Sequence, residues 1–119
     1  MLSEFARVGQ SARGFRRLFT DDDLSLYVWY PARGGPITGF QLVYAAGRRS
    51  NALTWTGRQG YLHGAVADGD GERHSPAPLL VAGDHFDRER VLRAFRAASA
   101  RIDPQVRELV LDRLRHYPG

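Results

Sequence analysis

The residues with the most chemical potential are histidines and carboxylates in the second half of the chain. His63, His74 and His85 share a stretch with Asp68, Asp70 and Asp84, and imidazole with carboxylate is a donor set for zinc, iron or manganese. Their spacings match no metal motif: there is no H-E-x-x-H and no facial-triad pattern. Asp68-Gly69-Asp70-Gly71-Glu72 approaches a calcium loop, but Arg73 stands where glycine must follow the third ligand, and no bidentate glutamate comes at the twelfth position. Asp21-Asp22-Asp23 reads as a turn, because successive loop carboxylates point apart. No metal and no cofactor are therefore expected. Phosphate-cradling glycine loops and the G-x-S-x-G elbow are missing. The chain has no cysteine, which removes thiol nucleophiles, disulfides and iron–sulfur ligation. An enzyme would have to work near His63 and the Asp68–Asp84 loop, and this is the least favoured of three functional readings.

Aromatic and arginine residues suggest binding instead. All 17 basic residues are arginine and the net charge is +4. Codon usage in a GC-rich genome explains the absence of lysine; selection for guanidinium's bidentate grip on phosphate or carboxylate is the functional alternative. Their placement is more telling. Between Asp23 and Asp68 there is no carboxylate, while Arg33, Arg48, Arg49 and Arg58 all fall there. Arg13, Arg16 and Arg17 beside Phe15 and Phe19, and Arg48 and Arg49 with Tyr44 and Trp55, are the residue types that phosphate contacts and base stacking require. No RNP, KH or helix-turn-helix pattern accompanies them.

Period-two segments position these residues. Strands are expected at Phe15–Phe19, Leu24–Tyr30, Ile37–Ala46, Ala52–Thr56, Tyr61–Ala67 and Leu79–Ala82, separated by Asp-rich, Pro/Gly-rich and Gly/Arg-rich turns, among them Gly47 to Asn51 and Gly57 to Gly60. The joins are too short for parallel crossovers, so the sheet is read as an antiparallel meander of about four to six strands. After Asp87 the period becomes 3.6. Asp87 caps a helix near 88–101, with Phe86 and Val91 as a hydrophobic staple and Val91, Leu92, Phe95, Ala98 and Ile102 as its apolar stripe. Asp103-Pro104 opens a second helix near 104–117, with Val106, Leu109, Val110, Leu114 and Tyr117 inward. The fold class is α+β, one domain over residues 1–119, with 1–14 read as a loose N-terminal arm.

Alternation assigns the two faces of the sheet. Leu24, Leu26, Val28 and Tyr30 should face the helices, with Phe40, Leu42 and Tyr44 alongside. The opposite face should carry Tyr27, Trp29, Gln41, Thr54, Thr56, Tyr61 and His63. With Arg48, Arg49 and Arg58 as a cationic rim and Trp55 nearby, this aromatic-polar face is the expected binding surface. The leading reading is a small non-enzymatic binding or interaction domain whose partner is another protein, a second copy in a homodimer, or an anionic ligand. The second is a nucleic-acid-binding module.

Length supports these readings, since 119 residues bury a sufficient core without disulfides or metal. No apolar run approaches a membrane span. The N-terminal residues lack the apolar core of a secretory signal, so a cytoplasmic protein is expected. The series Phe15-Arg16-Arg17-Leu18-Phe19, Leu24 to Trp29, Gly39-Phe40-Gln41-Leu42-Val43-Tyr44 and Leu53-Thr54-Trp55 resembles a family of small bacterial proteins of unknown function over roughly residues 15–115. The resemblance implies no activity and no site residues.

Overall fold

Short connections and alternating apolar residues leave an antiparallel meander as the simplest way to bury one face of every strand. The computed structural model describes residues 1–5, 14–46, 49–66, 80–82 and 86–118. Seven strands pair in strict chain order: β1 (Ser3–Phe5), β2 (Phe15–Thr20), β3 (Leu24–Tyr30), β4 (Gly39–Ala46), β5 (Arg49–Thr56), β6 (Gly60–Val66) and β7 (Leu80–Ala82). Every adjacent pair is antiparallel. Two helices follow, α1 (Arg88–Ala98) and α2 (Pro104–Arg115). The chain is an α+β antiparallel sheet with two C-terminal helices, as its periodicity predicts. No described helix is long and apolar enough to cross a membrane.

The core lies between one sheet face and the helices. Glu4, Phe19, Leu26, Leu42, Leu53 and His63 form one cross-strand row, and Leu26, Leu42 and Leu53 are fully buried. Val28, Phe40, Trp55 and Tyr61 form the next row on the same face. Phe95 of α1 and Leu114 of α2 are fully buried in the same cluster. In α2 the buried set is Val106, Val110, Leu111 and Leu114; Leu109 is only half-buried, because the inward face is centred between Val110 and Leu111. Asp87 accepts a hydrogen bond from Arg90 N at 3.3 Å. Asp103 accepts one from Gln105 N at 2.9 Å. Both caps satisfy otherwise orphaned amides.

Three expectations are corrected. Ser3–Phe5 is a strand rather than part of a loose arm: Leu2 is 2% exposed and its N–H donates to Ala98 O at 2.8 Å. Gly47 to Asn51 is not all turn, since Arg49, Ser50 and Asn51 pair with Ala46, Ala45 and Tyr44. Tyr61 and His63 lie on the helix-facing side while Leu62 points outward, because Thr56 pairs with Gly60 and so aligns Trp55 with Tyr61 and Leu53 with His63.

One arginine ties the edge of the sheet to the helices. Arg17 grips Glu4 on β1 with two bonds of 2.8 and 2.9 Å and donates to Asp103 at 3.0 Å and to the Tyr30 hydroxyl at 3.2 Å. The Glu4 hydrogen bond, foremost, holds its guanidinium protonated against the cost of partial burial. Arg17 in turn holds the Asp103 carboxyl below the ordinary value. The Asp21 carboxyl also lies low: burial opposes this, but the amides of Asp23 and Leu24 and the Met1 ammonium outweigh it. A carboxyl depressed by folding stabilises the native state above its unfolded pKa of about 4, and the contribution is lost as pH falls through the lower folded value. Urea unfolding should thus show stability that holds from neutrality to about pH 5 and declines below about pH 4, and Asp103→Asn should lessen the decline. Phe95→Ala should cost about 3–5 kcal/mol in the same assay; a cost near zero would mean that α1 is not docked through Phe95.

Candidate ligand-binding site

The end of the sheet where β3 stops and β5 turns into β6 holds an open concavity. Backbone pairing runs past the strand ends there: Thr38 N–H donates to Trp29 O at 2.8 Å and Gly57 N–H to Thr38 O at 3.0 Å. The Thr38 hydroxyl adds a second bond to Trp29 O at 3.1 Å. The β5–β6 connection, residues 57–59, ends on Gly60 with φ +77°, the left-handed conformation that three-residue hairpin loops place after the turn. Gln59 N–H donates to the Thr56 hydroxyl at 3.0 Å. These bonds hold Arg58 at a braced turn.

An open cleft of about 770 Å³ results, walled by Trp29, Trp55 and Ile37 and rimmed by Thr38, Thr56 and the Gly57-Arg58-Gln59 turn. Trp29 belongs to the outer sheet face, opposite Gly39, and Trp55 to the helix-facing side. The cleft therefore wraps the end of the sheet. Trp55 is braced from below: Arg113 stacks on its ring at 4.6 Å and the Phe40 ring lies 6.0 Å away. Arg113 also pairs with Asp112 at 3.0 Å, and its carbonyl accepts from the Tyr61 hydroxyl at 2.7 Å. Burial, above all, raises the pKa of that phenol. Every described lining residue comes from the carboxylate-free stretch, and Arg58, exposed, is the charged one among them.

The structure brings together three of the residues predicted for binding, Trp29, Trp55 and Arg58. Tyr27 and Gln41 are cross-strand partners on the outer face. Gln41 is 1% exposed, donates to the Thr54 hydroxyl at 2.9 Å and leaves its Oε1 without a partner. Tyr61 and His63 lie on the helix-facing side, where Tyr61 is the cross-strand partner of Trp55, and not on the outer face with Trp29, Tyr27 and Gln41. His63 is buried among Tyr44, Phe86 and Tyr117, and its Nε2 hydrogen-bonds the Tyr44 hydroxyl. Arg49 pairs with Ala46 in the ladder, whereas Arg48 lies outside the described residues, as do Asp68, Asp70, His74, Asp84 and His85. Among the described residues no three histidine or carboxylate side chains come together to hold a metal. The basic-aromatic patch read at residues 13–19 is divided by alternation: Arg17 faces the helices and is engaged there, with its guanidinium also 4.9 Å from the Phe19 ring centre.

Sequence reasoning placed Thr56 on the binding face but missed Ile37, Thr38, Gly57 and Gln59 as lining residues. The signal for the last two was present in the Gly-x-x-Gly turn. A smaller hollow of about 250 Å³ between the Asp21–Asp23 turn and α1 was not foreseen; there Asp21 holds the Met1 ammonium at 3.2 Å. Comparison of the chain with protein-family models, curated proteins and solved structures yields no match in any of the three, and the resemblance to small bacterial proteins gains no support from them.

Two glycines near the cleft differ in what they tolerate. A Cβ on Gly39 would lie 2.7 Å from the Trp55 carbonyl oxygen and 2.9 Å from Thr56 Cγ2, whereas one on Gly57 would meet nothing closer than Thr38 O at 4.0 Å. Gly39→Ala should destabilise by about 1–3 kcal/mol through overpacking. Gly57→Ala should leave thermal stability within about half a kcal/mol. Equal effects would contradict this close approach of β4 and β5.

Proposed function

We propose that this chain is a binding domain that takes an anionic ligand with a flat, apolar body into the cleft of Trp29, Trp55 and Arg58. The observation that carries this reading is the convergence of two indoles and an exposed guanidinium on one cleft whose described lining contains no carboxylate. Aromatic walls supply stacking and apolar contact, and the arginine supplies charge-assisted hydrogen bonds. Its volume falls in the range of small-molecule sites, about 300–1,000 Å³. The enzyme reading is weaker, because the described candidate, His63, is buried in an aromatic cluster away from the cleft. The absence of cysteine supports a reducing, cytoplasmic setting.

A titration of tryptophan emission with aromatic carboxylates and phosphates tests the cleft. Quenching is expected, and Trp29→Ala should weaken binding by about 1–3 kcal/mol. Arg58→Ala should weaken binding and reduce its salt dependence. Gly57→Leu should occlude the cleft while leaving circular dichroism unchanged. No response to any aromatic anion would reject the cleft as the site.

Self-association is the second reading, and one observation favours it. Two of the three large exposed hydrophobic residues among those described, Phe5, at 49%, and Leu62, at 53%, lie at opposite ends of one outer-face row through Leu18, Tyr27, Gln41 and Thr54. The middle of this row is covered within the chain, Gln41 being 1% exposed, so a second copy turned about an axis parallel to the strands would meet the row at its two ends, Phe5 over Leu62 twice. Sedimentation should then show a concentration-dependent mass that Leu62→Arg abolishes; a monomer at all concentrations would exclude it.

A further inference from the structure

We infer that the ligand of the Trp29 cleft is a nucleotide, free or within a single strand, with its base on Trp29, its base edge read by Gln59 and its phosphate held by Arg58. The inference rests on the cleft being a binding site and names the chemistry it recognises.

Three kinds of group are needed to hold a nucleotide without a duplex: a flat apolar ring for the base, a paired donor and acceptor for the base edge, and a cation for the phosphate. All three line this cleft. Trp29 stands half-buried at the end of β3. Arg58 and Gln59 are adjacent and exposed on the turn that closes the cleft. Of the rim hydroxyls, Thr56 accepts from Gln59 N–H and Thr38 donates to Trp29 O, and neither pairs a donor with an acceptor in fixed geometry as an amide does. The Gln59 side chain therefore supplies an amide with one donor side and one acceptor side, and every base presents such a pair on its pairing edge. The same bond from Gln59 N–H to Thr56, together with the left-handed Gly60, fixes where the Arg58 and Gln59 side chains depart. Charge agrees with the geometry. Among the described residues the wall that carries Arg58 holds no carboxylate, which favours a phosphate there. Arg113 is committed to Trp55 and Asp112, which leaves Arg58 as the cation of the lining.

The test is a tryptophan-emission titration of the full chain with AMP, tripolyphosphate, indole-3-acetate and a six-residue oligodeoxyadenylate. AMP is expected to bind at least tenfold more tightly than tripolyphosphate or indole-3-acetate. Arg58→Ala should weaken AMP about tenfold. Gln59→Ala should weaken AMP several-fold yet leave indole-3-acetate unchanged, which a merely structural role of the turn would not do. Thermal melts of both variants check that the turn stays folded. If the oligonucleotide binds more tightly than AMP with a steeper salt slope, the source is a single strand; equal affinities identify the free nucleotide. If indole-3-acetate binds as well as AMP, or Gln59→Ala alters both alike, the nucleotide assignment is overturned while the cleft survives as an anion site. If none of the four binds, both fall.

Discussion

The row of Phe19, Leu26, Leu42 and Leu53 governs the architecture. These four residues are cross-strand partners in series, each at most 1% exposed. Each fully buried apolar side chain of this size stabilises by roughly 1.5–3 kcal/mol, so the row resists any shift of register. Because side chains alternate strictly, a one-residue slip at any hairpin would turn the following strands inside out. The row ends on polar residues at both sides, and each is accommodated. Glu4 turns to Arg17. His63, carried into the interior by its pairing with Leu53, is met by the Tyr44 hydroxyl. Leu62 is left outside by the same parity.

The arginines of this chain are equal in composition and unequal in role. Arg17 joins β1, β3 and the cap of α2 through its bonds to Glu4, Tyr30 and Asp103. Arg33 lies over the Phe15 ring at 4.5 Å, and Arg113 braces Trp55 at 4.6 Å. Such stacked or bidentate guanidiniums contribute to the fold through geometry that lysine cannot reproduce. A net charge of +4 therefore overstates the cations available to a ligand. At the cleft the relevant charge is local: Arg58, at the apex of a short turn, with no acid among the described residues of the surrounding wall.

The cleft itself follows from how the sheet ends. Thr38 carries the hydrogen-bonded ladder one step ahead of β4 and Gly57 one step beyond β5, so the backbone there is fixed. The lack of a side chain at Gly39, where a Cβ would lie 2.7 Å from the Trp55 carbonyl oxygen, lets β4 and β5 approach closely, and residues from opposite faces of the sheet, Trp29 and Trp55, reach one opening. A site of this kind is rigid because its walls are strand termini with satisfied backbone groups.

By itself, the sequence determined the element order from β2 onward, the antiparallel pairing and the helix starts. Local rules suffice for these: period-two runs between short polar turns, then period 3.6 after the aspartate caps Asp87 and Asp103. Leu24, Leu26 and Val28 could be placed inside from alternation alone, and Trp29, Trp55 and Arg58 could be marked as binding types. Tertiary structure decided the rest, because face assignment beyond one strand depends on turn length. The pairing of Thr56 with Gly60 put Tyr61 and His63 in the core and Leu62 outside, against their hydropathies. It also decided that Arg17 serves the fold while Arg58 borders the cleft, since a guanidinium's role depends on which carboxylates and rings the chain brings within a few ångströms of it.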